Sequence, residues 1–152
     1  MPETEVPVFR RAVVALNGGP SDARIVRLVA SQAARTRSEV IAVHVVEIDW
    51  TLPLDADIAG RSEEVQRVLD VAEGIAEGFK QPMDAVLLQA RDVGAAIVDE
   101  ATERGADLLV VGLPYRKRFG GEFAIGRTIP YILQNAPCTV WVVREPMSEE
   151  PA

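Results

Sequence analysis

Ala12-Val13-Val14-Ala15-Leu16-Asn17-Gly18-Gly19-Pro20-Ser21-Asp22 is the stretch on which the fold turns. Five apolar residues in a row, without polar alternation, describe a strand buried on both faces. Asn17-Gly18-Gly19-Pro20 closes that strand with a turn. Ser21 is placed to cap the helix that follows, and Asp22 suits its positive end. Ile25, Leu28, Val29 and Ala33 then recur at helical spacing.

The same unit repeats along the chain. Glu39 opens a second buried strand, Val40-Ile41-Ala42-Val43-His44-Val45-Val46. Beyond a long loop over residues 49–61, Ser62-Glu63-Glu64 starts a second helix with a capping serine and first-turn acids. Its apolar stripe is Val65, Val68, Leu69, Ala72, Ile75, Ala76 and Phe79, and Pro82 terminates it. Ala85-Val86-Leu87-Leu88 is a third strand. Asp92 caps a third helix that ends at Gly105, with Arg104 in its last turn. Leu108-Leu109-Val110-Val111-Gly112 is a fourth strand. Thr128 is placed to cap a short fourth helix that tolerates Pro130 in its first turn. Thr139-Val140-Trp141-Val142-Val143 is a fifth strand. Such an alternation of strands and helices implies a parallel sheet covered on both faces, with right-handed crossovers. Ligands of open α/β sheets bind beyond the carboxyl ends of the strands, at the switch point. That places the turn at residues 17–21 and the loop at residues 112–128 at the expected site.

Composition narrows the function classes. The chain has 152 residues, 48% of them apolar, with a net charge of −7. It reads as one domain over residues 11–144, between polar, proline-bearing tails at 1–10 and 145–152 that are expected to be mobile. The negative balance argues against nucleic acid and anionic membrane as partners. The lone cysteine, Cys138, excludes a disulfide scaffold. No apolar run approaches the ~20 residues of a membrane span. The acidic start, Met1-Pro2-Glu3-Thr4-Glu5, is unlike a signal peptide. The expectation is a soluble cytoplasmic protein.

Against this acidic background, residues 115–128 hold Arg116, Lys117, Arg118 and Arg127 against Glu122 alone, a local charge of +3. The loop leaves a buried strand, carries Gly120, Gly121 and Gly126, and enters a helix. Glycine permits close backbone approach to a phosphate, a helix start offers free N–H groups, and arginine adds bidentate contacts. The combination fits an anion cradle. It fits a solvated basic loop with turn glycines equally well. It is not a Walker A loop.

Asn17-Gly18-Gly19 after the first strand, Val43-His44-Val45, Val110-Val111-Gly112 with its glycine-containing loop, and the ending Asn135-Ala136-Pro137-Cys138-Thr139-Val140-Trp141-Val142-Val143-Arg144 together resemble the universal stress protein family. The resemblance covers nearly the whole chain. It implies a single-domain, Rossmann-like α/β sandwich of the adenine-nucleotide alpha-hydrolase-like type. The implied sheet has five parallel strands in the order 3-2-1-4-5, with two helices on each face. It also implies a homodimer through the last strand, at Thr139, Val140, Trp141, Val142 and Val143.

One branch of that family binds ATP through Gly-x-x-Gly, nine residues, then Gly-Ser/Thr. Gly112 matches the first glycine, but Tyr115 stands at the second. Ten residues rather than nine precede Gly126, and Arg127 holds the Ser/Thr position with Thr128 one place later. Asn17 stands where that branch usually has Asp, while Val45 and Val111 match positions flanking adenine. The nucleotide-binding set implied by the resemblance and the loop is therefore Asn17, Gly18, Val45, Val111, Gly112, Tyr115, Arg116, Arg118, Gly126, Arg127 and Thr128. The implied cofactor is ATP or another adenine nucleotide, with Mg²⁺ as a possible companion.

The remaining candidates have plainer readings. His44, the only histidine, lies in an apolar strand and reads as structural; without a second histidine or a Cys-x-x-Cys, no zinc site is expected. Cys138 reads as a half-buried free thiol. Glu63-Glu64, Asp99-Glu100 and Glu149-Glu150 read as helix-face or tail charges. Asp107 reads as the start of a strand, Trp141 as core or interface, and Trp50 as loop packing. Ser21 has no histidine placed to activate it, so no catalytic residue is assigned. Two functions follow: a small regulatory protein that binds an adenine nucleotide at a modified loop, or a dimeric interaction protein with a degenerate site. In the second, the dimer surface and the loop over residues 49–61 would meet an unknown protein partner. A slow nucleotide hydrolase or transferase stands well behind both.

Overall fold

The computed structural model describes residues 6–53, 62–113 and 126–147. They form β1 (Arg11–Leu16), α1 (Ser21–Thr36), β2 (Glu39–Glu47), α2 (Ser62–Gly78), β3 (Met83–Ala90), α3 (Val93–Glu103), β4 (Leu108–Leu113), α4 (Thr128–Asn135) and β5 (Thr139–Arg144). The five strands make one sheet in the order β3-β2-β1-β4-β5. All pairs are parallel. Arg11 lies opposite Glu39 and Leu16 opposite His44, while Ala12 lies opposite Leu108 and Ala15 opposite Val111. The chain winds outward from β1 through β2 to β3, then returns to the other side of β1 for β4 and β5. The switch point therefore falls between β1 and β4.

Strand alternation divides the core in two. Ala12, Val14, Leu16, Val40, Ala42, Leu108 and Val110 pack against α1 and α2 through Ile25, Val29, Leu69 and Ala72. Val13, Ala15, Ile41, Val43, Val45, Leu109 and Val111 pack against α3 and α4 through Ile97, Val98, Ile129 and Ile132. Both sheet faces are thus buried, as the unbroken apolar runs require. Each fully buried Val or Ile contributes about 1.5–3 kcal/mol.

Polar groups at the amino edge of the sheet are paired. The Asp107 carboxylate accepts from the backbone N–H groups of Arg10 and Arg11 at 2.9–3.1 Å, joining the starts of β1 and β4. The buried Ser38 hydroxyl donates to the Phe9 carbonyl at 2.7 Å, and the Gln81 side-chain amide donates to the Ser38 carbonyl at 2.8 Å. Among the described residues, no buried side-chain polar atom lacks a partner.

Several local expectations are corrected. Pro20, not Ser21, occupies the N-cap position of α1, and no side chain caps that helix. Ser21 lies inside the first turn, buried, and donates its hydroxyl to Glu145. Arg127, not Thr128, is the N-cap residue of α4, again with no side-chain cap. The second helix ends at Gly78, before Pro82, and Lys80 takes a left-handed turn. Met83 and Ala90 extend the third strand at both ends. Phe9, assigned to the amino-terminal tail, is buried and packs edge-to-face on Trp141 with ring centroids 6.1 Å apart. Glu145, assigned to the carboxyl-terminal tail, donates its N–H to the Leu113 carbonyl. Asp92 does cap α3, accepting from the Ala95 N–H at 3.1 Å.

Candidate functional site

The sheet's carboxyl edge holds a cleft of about 500 Å³ between the ends of β1, β2 and β4 and the starts of α3 and α4. Its volume lies within the range of small-ligand sites. Ala15, Val45, Val111 and Leu113 form its sheet wall, and Val93, Ile97, Ile129 and Ile132 its helix wall. Asn17, Glu47, Gly126 and Thr128 bring polar atoms to it. Apolar walls with a few polar groups, at the switch point of a parallel sheet, are what a planar ligand with one polar end requires. Two other concavities are of similar size. One lies at the amino ends of β2 and β3, away from the switch point. The other lies on the opposite sheet face, against α2.

The β1–α1 turn forms one side of the cleft. Asp22, buried in the first turn of α1, accepts from the Asn17 N–H at 2.9 Å and the Gly18 N–H at 2.8 Å. Burial pushes the Asp22 carboxyl above the ordinary aspartate range, against the opposing pull of those two backbone donors and of His44. The Asn17 side-chain oxygen accepts from the Gly19 N–H at 2.7 Å. The N–H groups of Asn17, Gly18 and Gly19 are therefore already spent. What Asn17 retains for a ligand is its amide NH₂.

The β4–α4 side is built differently. A Cβ on Gly112 would stand 2.6 Å from the Ser21 Cβ, so only glycine lets the end of β4 lie against α1. Gly126 takes φ +77°, and a Cβ there would meet no atom of the described residues within 4 Å. Arg127 follows, with its side chain 91% exposed, and its Nη2 donates to the Glu47 Oε1 at 3.5 Å. This ion pair ties the start of α4 to the end of β2. Among the described residues that line the cleft, Glu47 is the one with a formally charged side chain.

The structure brings Asn17, Val45, Val111, Gly112, Gly126 and Thr128 together around one cleft, with Arg127 at its mouth. Gly18 is not among them: it lines the groove on the opposite face with His44 and Val68. Tyr115, Arg116, Lys117 and Arg118 lie outside the described residues. Sequence reasoning missed Glu47, Val93, Ile97, Leu113, Ile129 and Ile132. The signal for two of them was strand alternation, since Glu47 and Leu113 stand two residues beyond Val45 and Val111 on the same faces.

His44 makes the hydrogen bond expected of a structural histidine: its Nδ1 donates to the Leu16 carbonyl at 3.0 Å. Cys138 is half-buried and free, and its thiol is pushed up by burial first and by Asp107 second. Trp50 is 78% exposed and carries the Arg91 guanidinium 4.9 Å from its ring centroid, rather than packing into its loop. Among the described residues, no three His, Cys, Asp or Glu side chains are placed to hold a metal ion. No helix among them is long and apolar enough to cross a membrane.

Comparison with known proteins adds the following. Residues 9–144 match the sequence model of the universal stress protein family. Sensor protein KdpD of Mycobacterium tuberculosis is 29% identical over 136 residues, which are 90% of this chain and 14% of that protein. The chain thus spans a small part of that relative's length. The universal stress protein from Archaeoglobus fulgidus in complex with dAMP superposes with a TM-score of 0.69 at 20% identity, covering 90% of this chain and 98% of that one. A universal stress protein in complex with cAMP superposes with a TM-score of 0.67 at 20% identity, covering 90% and 97%. At these identities the two structures establish the shared fold.

Proposed function

The chain belongs to the universal stress protein family, and on that premise we propose that it is a small regulatory protein that binds an adenine nucleotide in the cleft between β1, β2 and β4. One observation carries this reading: a cleft of about 500 Å³, apolar along its walls, opens at the switch point beside the start of α4. Two proteins of the same fold carry cAMP and dAMP, which supports the class of ligand. Val45, Val111 and Val93 would hold the base. Asn17 would offer its amide to ribose or base, and Gly126, Arg127 and Thr128 would meet the phosphate. Tyr115, Arg116 and Arg118 belong to the same proposal through their place in the sequence. With ATP as ligand, Mg²⁺ would be held chiefly by the phosphates, with Glu47 the cleft's available carboxylate.

The proposal extends to assembly and setting. Among the described strands β5 is an edge strand with one neighbour, and Val142 on it is 36% exposed. An open edge of this kind favours pairing with a second copy through Thr139, Val140, Trp141, Val142 and Val143. A homodimer acting in a cytoplasmic stress response completes the reading. Light scattering of the purified protein tests the dimer.

Nucleotide binding is tested by thermal melts with adenosine, cAMP, AMP, ADP and ATP, beside mass spectrometry of any molecule released on denaturation. A ligand at ~100 times its Kd should add about 2.7 kcal/mol of stability. Arg127→Ala should weaken phosphate-bearing ligands by roughly five- to tenfold. No shift with any of these ligands would contradict the reading. It would favour a nucleotide-free interaction protein, a second reading supported by Gly112, whose lack of a side chain is already accounted for by Ser21.

A further inference from the structure

We propose that Glu47 is a charge-selectivity residue, which biases the cleft toward adenine ligands of lower negative charge, with Arg127 as its counter-ion. The inference rests on the nucleotide-binding reading above and names which members of that ligand class the cleft prefers.

Three observations lead to it. First, the N–H of Asn17, the turn residue that lines the cleft, is spent on Asp22 within the protein. Second, Glu47 alone among the described cleft-lining residues carries a formal charge, and that charge is negative. Third, Arg127, the cation that begins α4, is not held in reserve: its guanidinium reaches back 3.5 Å to Glu47. A neutral nucleoside can enter the apolar part of the cleft and leave this pair in place. A phosphate arriving at the start of α4 must draw Arg127 away from Glu47, or sit near a carboxylate whose charge is then unbalanced. Either route costs more as the ligand's charge rises. The pair itself is exposed and weak, with side chains 91% and 55% accessible. Its effect is therefore a graded bias rather than a block.

The test is isothermal titration of adenosine, cAMP, AMP and ATP into the full-length protein and into Glu47→Gln and Arg127→Gln, at one fixed ionic strength. Glu47→Gln keeps shape and removes charge. It is expected to leave adenosine within twofold, to tighten AMP by about 3–10-fold and to tighten ATP further. Arg127→Gln is expected to move the series the opposite way. Circular-dichroism melts confirm that each variant is folded. The proposal is overturned if Glu47→Gln changes all four ligands by the same factor, or none, since Glu47 would then be a packing residue. It is also overturned if the variant weakens ATP relative to adenosine, since Glu47 would then be positioning Arg127 for phosphate. If adenosine and every nucleotide fail to bind all three proteins, the nucleotide-binding reading itself falls and takes this inference with it.

Discussion

The β1–α1 turn, which borders the cleft through Asn17, and the β4–α4 approach, which lines it with Gly112, Gly126 and Thr128, use their polar groups in opposite ways. In the first, Asp22 and the Asn17 side chain take up the N–H groups of Asn17, Gly18 and Gly19. In the second, the Arg127 side chain does not cap α4, and no described atom lies within 4 Å of where a Cβ on Gly126 would stand. A helix start whose first N–H groups are not capped can receive an anion; a turn that has closed on its own carboxylate cannot without breaking bonds. Within the β4–α4 approach the glycines differ too: Gly112 is required by close packing, Gly126 by backbone conformation. The difference teaches that glycines at one edge of a sheet can have unrelated purposes.

This contrast can be broken most strongly at Asp22. Asp22→Ala should cost about 3 kcal/mol in urea unfolding, because two backbone donors lose a buried carboxylate acceptor. A loss below about 1 kcal/mol would mean the turn holds its shape without that carboxylate. Gly112→Ala comes next, at about 2 kcal/mol, since its Cβ would overlap the Ser21 Cβ and force β4 or α1 to shift. Gly126→Ala should cost only about 1 kcal/mol, for the positive φ alone. Equal losses for the two glycines would erase the distinction between them.

A smaller effect concerns pH. Burial raises the Asp22 carboxyl above its unfolded value of 3.8. Between those two values the folded state binds more protons than the unfolded state, so this group's contribution to stability falls as pH rises through the window. Asp22→Asn removes the group that titrates. Stability measured against pH should therefore show wild type losing ground to Asp22→Asn from pH 3.8 upward, until Asp22 is fully ionised in the folded protein. A constant offset between the two curves would mean that Asp22 titrates alike in both states.

The fold was legible because doubly buried strands leave unbroken apolar runs, and the runs at residues 12–16, 40–46 and 108–111 admit no other placement beside amphipathic helices. Capping was less legible. Ser21 is a good cap by type, yet Pro20 takes the position and the serine is drawn inward to Glu145, a partner 124 residues away that no local pattern reveals. The cleft's lining was legible where it depends on strand ends, as at Val45 and Val111. It was not where a turn's direction matters: Gly18 follows Asn17 directly but lines the groove on the opposite face. Period-two alternation from Val45 puts Glu47 on the cleft side. Val93, Ile97, Ile129 and Ile132 needed the helix packing itself.

The most direct test of the central claim is a heteronuclear NMR titration of the ¹⁵N-labelled protein with AMP. The predicted result is saturable shifts of the Gly126, Arg127, Thr128, Val45 and Val111 amides, with Gly18 and Gly19 nearly still because their N–H groups are already bonded within the turn. Shifts centred on Gly18, His44 and Val68, or no shifts at saturating AMP, would contradict it.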